Sequence, residues 1–133
     1  MTGLDTNVLI RYLVEDDADQ AARAAALIEK AVQQGEKLFV ASIVLCEVVW
    51  VLSVAYHRPR SDIVRTLGAI LLTAQFVIQD LDLAHRALAS YAQGPADFAD
   101  YLVAEQALRA GCETLATFDK KLLRDDRFVE PCL

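Results

Sequence analysis

Proline and glycine are scarce in this chain, at 3 and 5 of 133 residues, so few turns are obligatory and regular elements must make up most of it. Cysteine is scarce too. Cys46, Cys112 and Cys132 are odd in number, widely spaced and lack any Cys-x-x-Cys or Cys/His pairing. That pattern argues against a disulfide framework or a zinc site and leaves reduced thiols as the expectation. No apolar run is long enough to span a bilayer; the longest lies near Val48–His57. The first residues have no basic n-region and already carry Asp5, so no secretory signal is expected and a cytoplasmic location is. GxGxxG, P-loop and GxSxG patterns are all missing, which removes the usual dinucleotide, nucleotide and serine-hydrolase signatures. Basic charge is also short: 13 Lys and Arg face 19 Asp and Glu, a net charge of −6. Phosphate contacts need cations, so this balance points away from nucleic acid. It is compatible with nucleic acid only if acids gather on bound metal, which inverts the local field.

What is present is apolar. Hydrophobic residues form 55% of the chain, enough for a real core, and the length fits one domain over residues 1–133. Thr2–Leu4 reads as a short strand, and Thr6–Leu13 as a helix with Val8, Leu9, Tyr12 and Leu13 at helical spacing. Asp17 caps a helix over Ala18–Gln34 that ends at Gly35. Leu38–Val40 is a strand, and Ser42 is expected to cap a helix over Ile43–Tyr56. A helix from Arg60 or Ser61 to about Leu72, a strand at Phe76–Ile78 and a helix from Asp82 to Tyr91 or Ala92 follow. Past the Gly94-Pro95 turn come a helix opened by Ala96 or Asp97, a strand in Glu113–Thr117, a short helix at Lys120–Leu123 and an edge strand at Phe128-Val129. Short strands separated by helices predict parallel pairing. The fold class is therefore α/β: a three-layer α/β/α sandwich with a short, mostly parallel central sheet. Ligands of such sheets bind beyond the carboxyl ends of the strands, where Asp5, Ser42, Glu47 and Asp119 fall.

Five acids stand out, and each has a plainer reading. Asp5 and Asp119 follow strands and precede helices, so N-capping alone accounts for them. Asp97 and Asp100 share a helix face at i, i+3; capping explains Asp97 well and Asp100 less well, and their like charges repel. Glu47 fits no cap rule. Its helical neighbours Ile43, Val44, Trp50 and Val51 are apolar, which predicts a buried carboxylate that is protonated, bound to a cation or paired with a base such as Arg11 or Arg65; the plainer alternative is that it reaches solvent at the helix edge. Asp5, Glu47, Asp100 and Asp119 together make an all-oxygen ligand set, with no His or Cys. That set suits Mg²⁺ or Mn²⁺ and not zinc. Arg11, Lys120, Lys121, Arg124 and Arg127 lie close in sequence to these acids and could rim the site for phosphates, although charged helix faces are usually just solvated.

Leu4-Asp5-Thr6-Asn7-Val8-Leu9, Ser42 with Glu47, Asp97-Phe98-Ala99-Asp100-Tyr101-Leu102-Val103-Ala104 and Thr117-Phe118-Asp119 together resemble the PIN domain, in particular VapC-type toxins of toxin–antitoxin pairs. The pieces fall in the family's order and cover nearly the whole chain. The resemblance implies that Asp5, Glu47, Asp100 and Asp119 occupy acidic metal-site positions, with Asp97 as helper or alternative ligand. It makes Thr6, Asn7, Ser42 and Thr117 polar supports, and Arg11, Lys120 and Lys121 an RNA-binding rim. It further implies a Mg²⁺- or Mn²⁺-dependent endoribonuclease acting on structured RNA such as tRNA or rRNA. One or two cations would acidify a water for in-line attack on phosphorus. A homodimer and a cognate antitoxin are the implied partners. Tyr101 and Glu105-Gln106 depart from the smaller residues often found there. Two other classes compete: a phosphoryl-transfer enzyme with Asp5 as nucleophile, which lacks the usual second Asp at Asn7, and a non-catalytic module whose acids bind a basic peptide.

Overall fold

Asp5 begins the first helix as its cap, its Oδ1 accepting the Thr6 N–H at 2.9 Å. In the computed structural model, which describes residues 1–133, strand β1 (Thr2–Gly3) leads into helix α1 (Thr6–Leu13) and helix α2 (Ala18–Gln34). Asp17 caps α2 by accepting the Gln20 N–H at 3.0 Å. Gly35 closes it in the left-handed conformation, φ 67°, where a side chain would be strained. Then come β2 (Leu38–Val40), α3 (Ser42–Val54), α4 (Arg60–Leu71) and β3 (Phe76–Ile78). Two compact units divide the chain, residues 1–81 and 82–133.

In the first unit β1, β2 and β3 lie side by side and parallel, with Gly3 opposite Phe39 and Val40 opposite Ile78. This register brings the carboxyl ends of three strands to one edge, so Asp5, Ser42 and Gln79 follow them there. Leu9, Leu38, Val40, Leu45, Val48, Ile63 and Leu67 are fully enclosed. Burial of each such side chain is worth roughly 1.5–3 kcal/mol, and this sets which faces of α1, α3 and α4 turn inward.

The second unit holds most of α5 (Leu81–Gln93), then α6 (Phe98–Arg109), β4 (Leu115–Ala116), a 3₁₀ turn over Leu122–Arg124 and β5 (Phe128–Val129). β4 and β5 pair parallel in a ladder of their own. Phe98 is its most enclosed large side chain and meets Tyr91 edge-on, with ring centres 6.3 Å apart. Gly94 permits a close approach: a Cβ there would collide with the Tyr101 hydroxyl. The Ala96 N–H in turn donates to that hydroxyl at 3.3 Å. The larger Tyr101 thus braces the α5–α6 turn.

Three local expectations need correction. Ser42 is the first residue of α3, not its cap; Ala41 holds the cap position without a side-chain bond. The Ser42 N–H donates instead to Gln79 Oε1 at 2.9 Å, so a residue 37 positions away supplies what a cap would. The strand expected over Glu113–Thr117 shrinks to two residues because its only partner, β5, has two. The short helix at Lys120–Leu123 is a 3₁₀ turn one to two residues later. No helix is long and apolar enough to cross a membrane.

Candidate functional site

In the second unit Asp97 and Asp119 both act electrostatically on Asp100. Asp97 caps α6, and Asp100, three residues on, reaches back so that its Oδ2 accepts the Asp97 N–H at 3.1 Å. Asp100 is therefore a capping residue after all, in a reciprocal cap built from two aspartates. Its carboxyl pKa is raised from the ordinary value, first by partial burial and then by the negative charges of Asp97 and Asp119, with Lys121 pulling the other way. So the first turn of α6 lies within electrostatic range of the loop that follows β4. There Asp119 Oδ1 accepts the Lys121 N–H at 2.9 Å, while Thr117 Oγ1 accepts the Asp119 N–H at 3.0 Å. Thr117 thus supports the turn through the backbone N–H of Asp119 and makes no bond to its carboxylate.

In the first unit Asp5 is exposed at the end of β1, one oxygen spent on the Thr6 cap bond. The Thr6 side chain beside it is 5% exposed, and its Oγ1 has no hydrogen-bond partner. A buried hydroxyl without a partner costs roughly 1–3 kcal/mol, so this is a place where a polar ligand or water belongs. Asn7 is exposed and, with Val8 and Arg11, lines a 310 Å³ groove between α1 and α2. Arg11 is already engaged: it donates to Asp16 at 2.8 Å and to Gln20 at 2.7 Å.

Glu47 does not have the burial expected of it and takes the plainer alternative, reaching solvent. It is exposed, and no hydrogen bond or ion pair holds it. Arg11 pairs with Asp16 and Arg65 with Asp62. The apolar helix around Glu47 is not enclosed on every side: Ile43 is 68% exposed and Trp50 63%, and Val54 continues the same face at i+11. Glu47 stands on a stripe of α3 that faces outward, so its charge stays hydrated.

Lys120 and Lys121 are exposed beside Asp119, as a phosphate rim requires. Arg127 is not free for that role. It donates to Glu105 Oε1 at 2.9 Å and to Asp125 Oδ2 at 2.7 Å. Glu105, 8% exposed, is the truly buried acid of this chain, and sequence reasoning passed over it as a family variation. The signal was available: Tyr101, Leu102 and Leu108 flank it at helical spacing, much as apolar residues flank Glu47.

The donor set matches a hard divalent cation in kind. All the side chains in question are oxygen donors, Asp100 carries repulsion that a cation would relieve, and Asp5, Asp100 and Asp119 each commit one oxygen to a backbone N–H and keep the other. Within neither unit do three such side chains close to metal-binding distance.

Asp5 thus stands at a strand end in the first unit, and in the second Asp97 and Asp100 open α6 and Asp119 follows β4. The sequence profile of the PIN domain matches residues 4–127, and the chain belongs to the PIN-domain family. It is also similar to a VapC ribonuclease of Aquifex aeolicus (strain VF5), with 28% identity over 118 residues, 89% of this chain and 87% of that protein.

Proposed function

We propose that this protein is a divalent-metal-dependent endoribonuclease, the toxin of a toxin–antitoxin pair, whose single PIN domain spans residues 1–133 and works in the cytoplasm on structured RNA such as tRNA or rRNA. The observation that carries the reading is the match of residues 4–127 to the PIN domain, beside the likeness to a VapC ribonuclease, in a chain whose Asp97 and Asp100 open α6 and whose Asp119 follows β4. Asp5, Glu47, Asp100 and Asp119, with Asp97 as a further donor, are the residues that would hold Mg²⁺ or Mn²⁺. When bound, such a cation supplies a Lewis acid that acidifies water and offsets charge on phosphoryl oxygens. The protein's own groups do the rest. The Asp97 and Lys121 N–H groups fix one oxygen each of Asp100 and Asp119, so the two carboxylates enter the reaction already oriented. Asp100, with its raised pKa, or Glu47 orients the attacking water and accepts its proton. Lys120 and Lys121 draw the RNA backbone to the acids.

Partners follow the same reading: a cognate antitoxin and a second copy of the chain. The outward apolar stripe Ile43, Trp50 and Val54 supports a protein-covered face. The three unpaired cysteines accord with a reducing compartment. The test is Asp5→Asn. Purified wild type should cleave RNA only with Mg²⁺ or Mn²⁺ present and should melt higher with Mn²⁺. The variant should lose both effects while keeping its circular-dichroism spectrum, and cleavage at the wild-type rate by Asp5→Asn would remove the assignment.

A further inference from the structure

Near the second-unit acids lies an open cavity of about 550 Å³, of whose lining the mechanism above uses only Lys121. Its walls are the end of α5 and the α5–α6 turn on one side, with Ser90, Gln93 and Gly94, and Lys121 and Arg124 of the 3₁₀ turn on the other; Tyr101 also borders it. Pockets of this size, roughly 300–1,000 Å³, take a small-molecule-sized group.

Charge singles it out. Lys121 and Arg124 are exposed and form no salt bridge in a chain of net charge −6, although the charge of Lys121 also acts on Asp100. Asp125, the one acid on the wall, is bound by Arg127 at 2.7 Å, which holds its carboxyl below the ordinary carboxylate range, so it does not cancel the two free cations. The cavity is therefore a positive site. Its other groups suit a base edge: Gln93 is exposed and offers both an acceptor and two donors, and the Tyr101 hydroxyl, accepting from Ala96, keeps its own proton to donate. Position supplies the last argument. The Lys121 backbone N–H holds Asp119, and its side chain borders the cavity, so the cavity begins two residues from an acid of the proposed centre.

We propose that this cavity is a nucleotide subsite, which receives one unstacked nucleotide flanking the cleaved phosphodiester of an RNA strand. Lys121 and Arg124 take its phosphate, and Gln93 reads its base. RNA is read mostly at unpaired, splayed nucleotides. The site would therefore direct the enzyme to loops and bulges of a structured RNA. The inference rests on the ribonuclease reading and adds where the strand runs.

The test is a binding measurement that needs no turnover. Fluorescently labelled single-stranded RNA of random sequence is titrated in EDTA into the full chain, Arg124→Ala, Lys121→Ala and Arg65→Ala, across a salt series. Arg65→Ala makes the same change of net charge at an exposed position that does not border the cavity. The two cavity variants should each weaken binding roughly tenfold and lower the slope of log K against log salt by about 0.7, the value for one phosphate contact on a single strand. If Arg124→Ala matches Arg65→Ala in both affinity and slope, the subsite is wrong. Metal-dependent cleavage by the wild type would then still support the ribonuclease reading. In cleavage mapping on the same pool, Gln93→Ala should flatten the base preference at one flanking position; an unchanged preference there overturns the base-reading role. Loss of binding only for the antitoxin, with RNA binding intact, would instead make the cavity a protein-docking site and overturn the proposal.

Discussion

Glu47 and Glu105 look alike in sequence and are opposites in the fold. Both sit inside helices with mostly apolar neighbours at three and four residues, Arg109 beside Glu105 being the exception. Glu105 is enclosed and bonded to Arg127 at 2.9 Å, whereas Glu47 is exposed and unpaired. The difference teaches that apolar neighbours do not bury a carboxylate. A partner cation placed by another element does, because a lone charge in the interior costs several kcal/mol. It also separates two settings of an acid: one holds α6 to the residues leading into β5, the other stays hydrated on an outward face.

The largest effect should come from breaking the buried pair. Arg127→Ala leaves Glu105 enclosed without its cation and removes the partner of Asp125. It should cost about 3 kcal/mol, toward the low end for buried pairs because Arg127 keeps some exposure. Calorimetry should show a melting point lower by about 10 °C. Replacing both partners, Glu105→Leu with Arg127→Leu, should recover most of that loss. A double variant as unstable as the single one would show that the bond itself, and not the unpaired charge, is what matters.

Glu47→Gln should behave the other way round. Stability should move by no more than about 0.5 kcal/mol, as for an exposed unpaired residue. Metal-dependent RNA cleavage should fall by roughly 10–100-fold, the range for groups that shape a metal site. Equal cleavage by the two proteins would return Glu47 to the solvated surface. Next in size, Gly94→Ala should destabilise by about 1–3 kcal/mol, since the new methyl meets the Tyr101 hydroxyl; shortening that partner with Tyr101→Phe in the same chain should relieve part of it.

The smallest effect concerns Asp100. Its native pKa is raised, so the folded state holds the proton more tightly than the unfolded chain. That contribution is present below about pH 4 and is lost as pH rises through the raised value. At neutral pH and without divalent cations the ionised Asp100 therefore weakens the fold slightly. Asp100→Asn, whose amide oxygen can still accept the Asp97 N–H, should raise stability at pH 7 by less than about 1 kcal/mol. The gain should vanish near pH 3 and reverse when Mn²⁺ stabilises the wild type alone. A variant less stable than wild type in EDTA at pH 7 would mean that the capping bond outweighs the repulsion.

Local chemistry made much of this chain readable. The bounds of α1, α2, β2 and β3 follow from helical or alternating apolar spacing with Asp17 and Gly35 as punctuation, and these signals lie within a few residues of the elements they mark. The ordered acids Asp5, Asp97, Asp100 and Asp119 were legible for the same reason, each at a strand end or helix start. Tertiary structure alone decided the rest. Gln79 took over the start of α3 from 37 residues away. Arg127 chose Glu105 over the RNA rim. Glu47 faced outward because the side of α3 that packs is the one carrying Leu45, Val48 and Leu52. Each outcome turns on a partner distant in sequence, and the energy of burying a polar group is set by that partner, which the group's own sequence neighbours do not reveal.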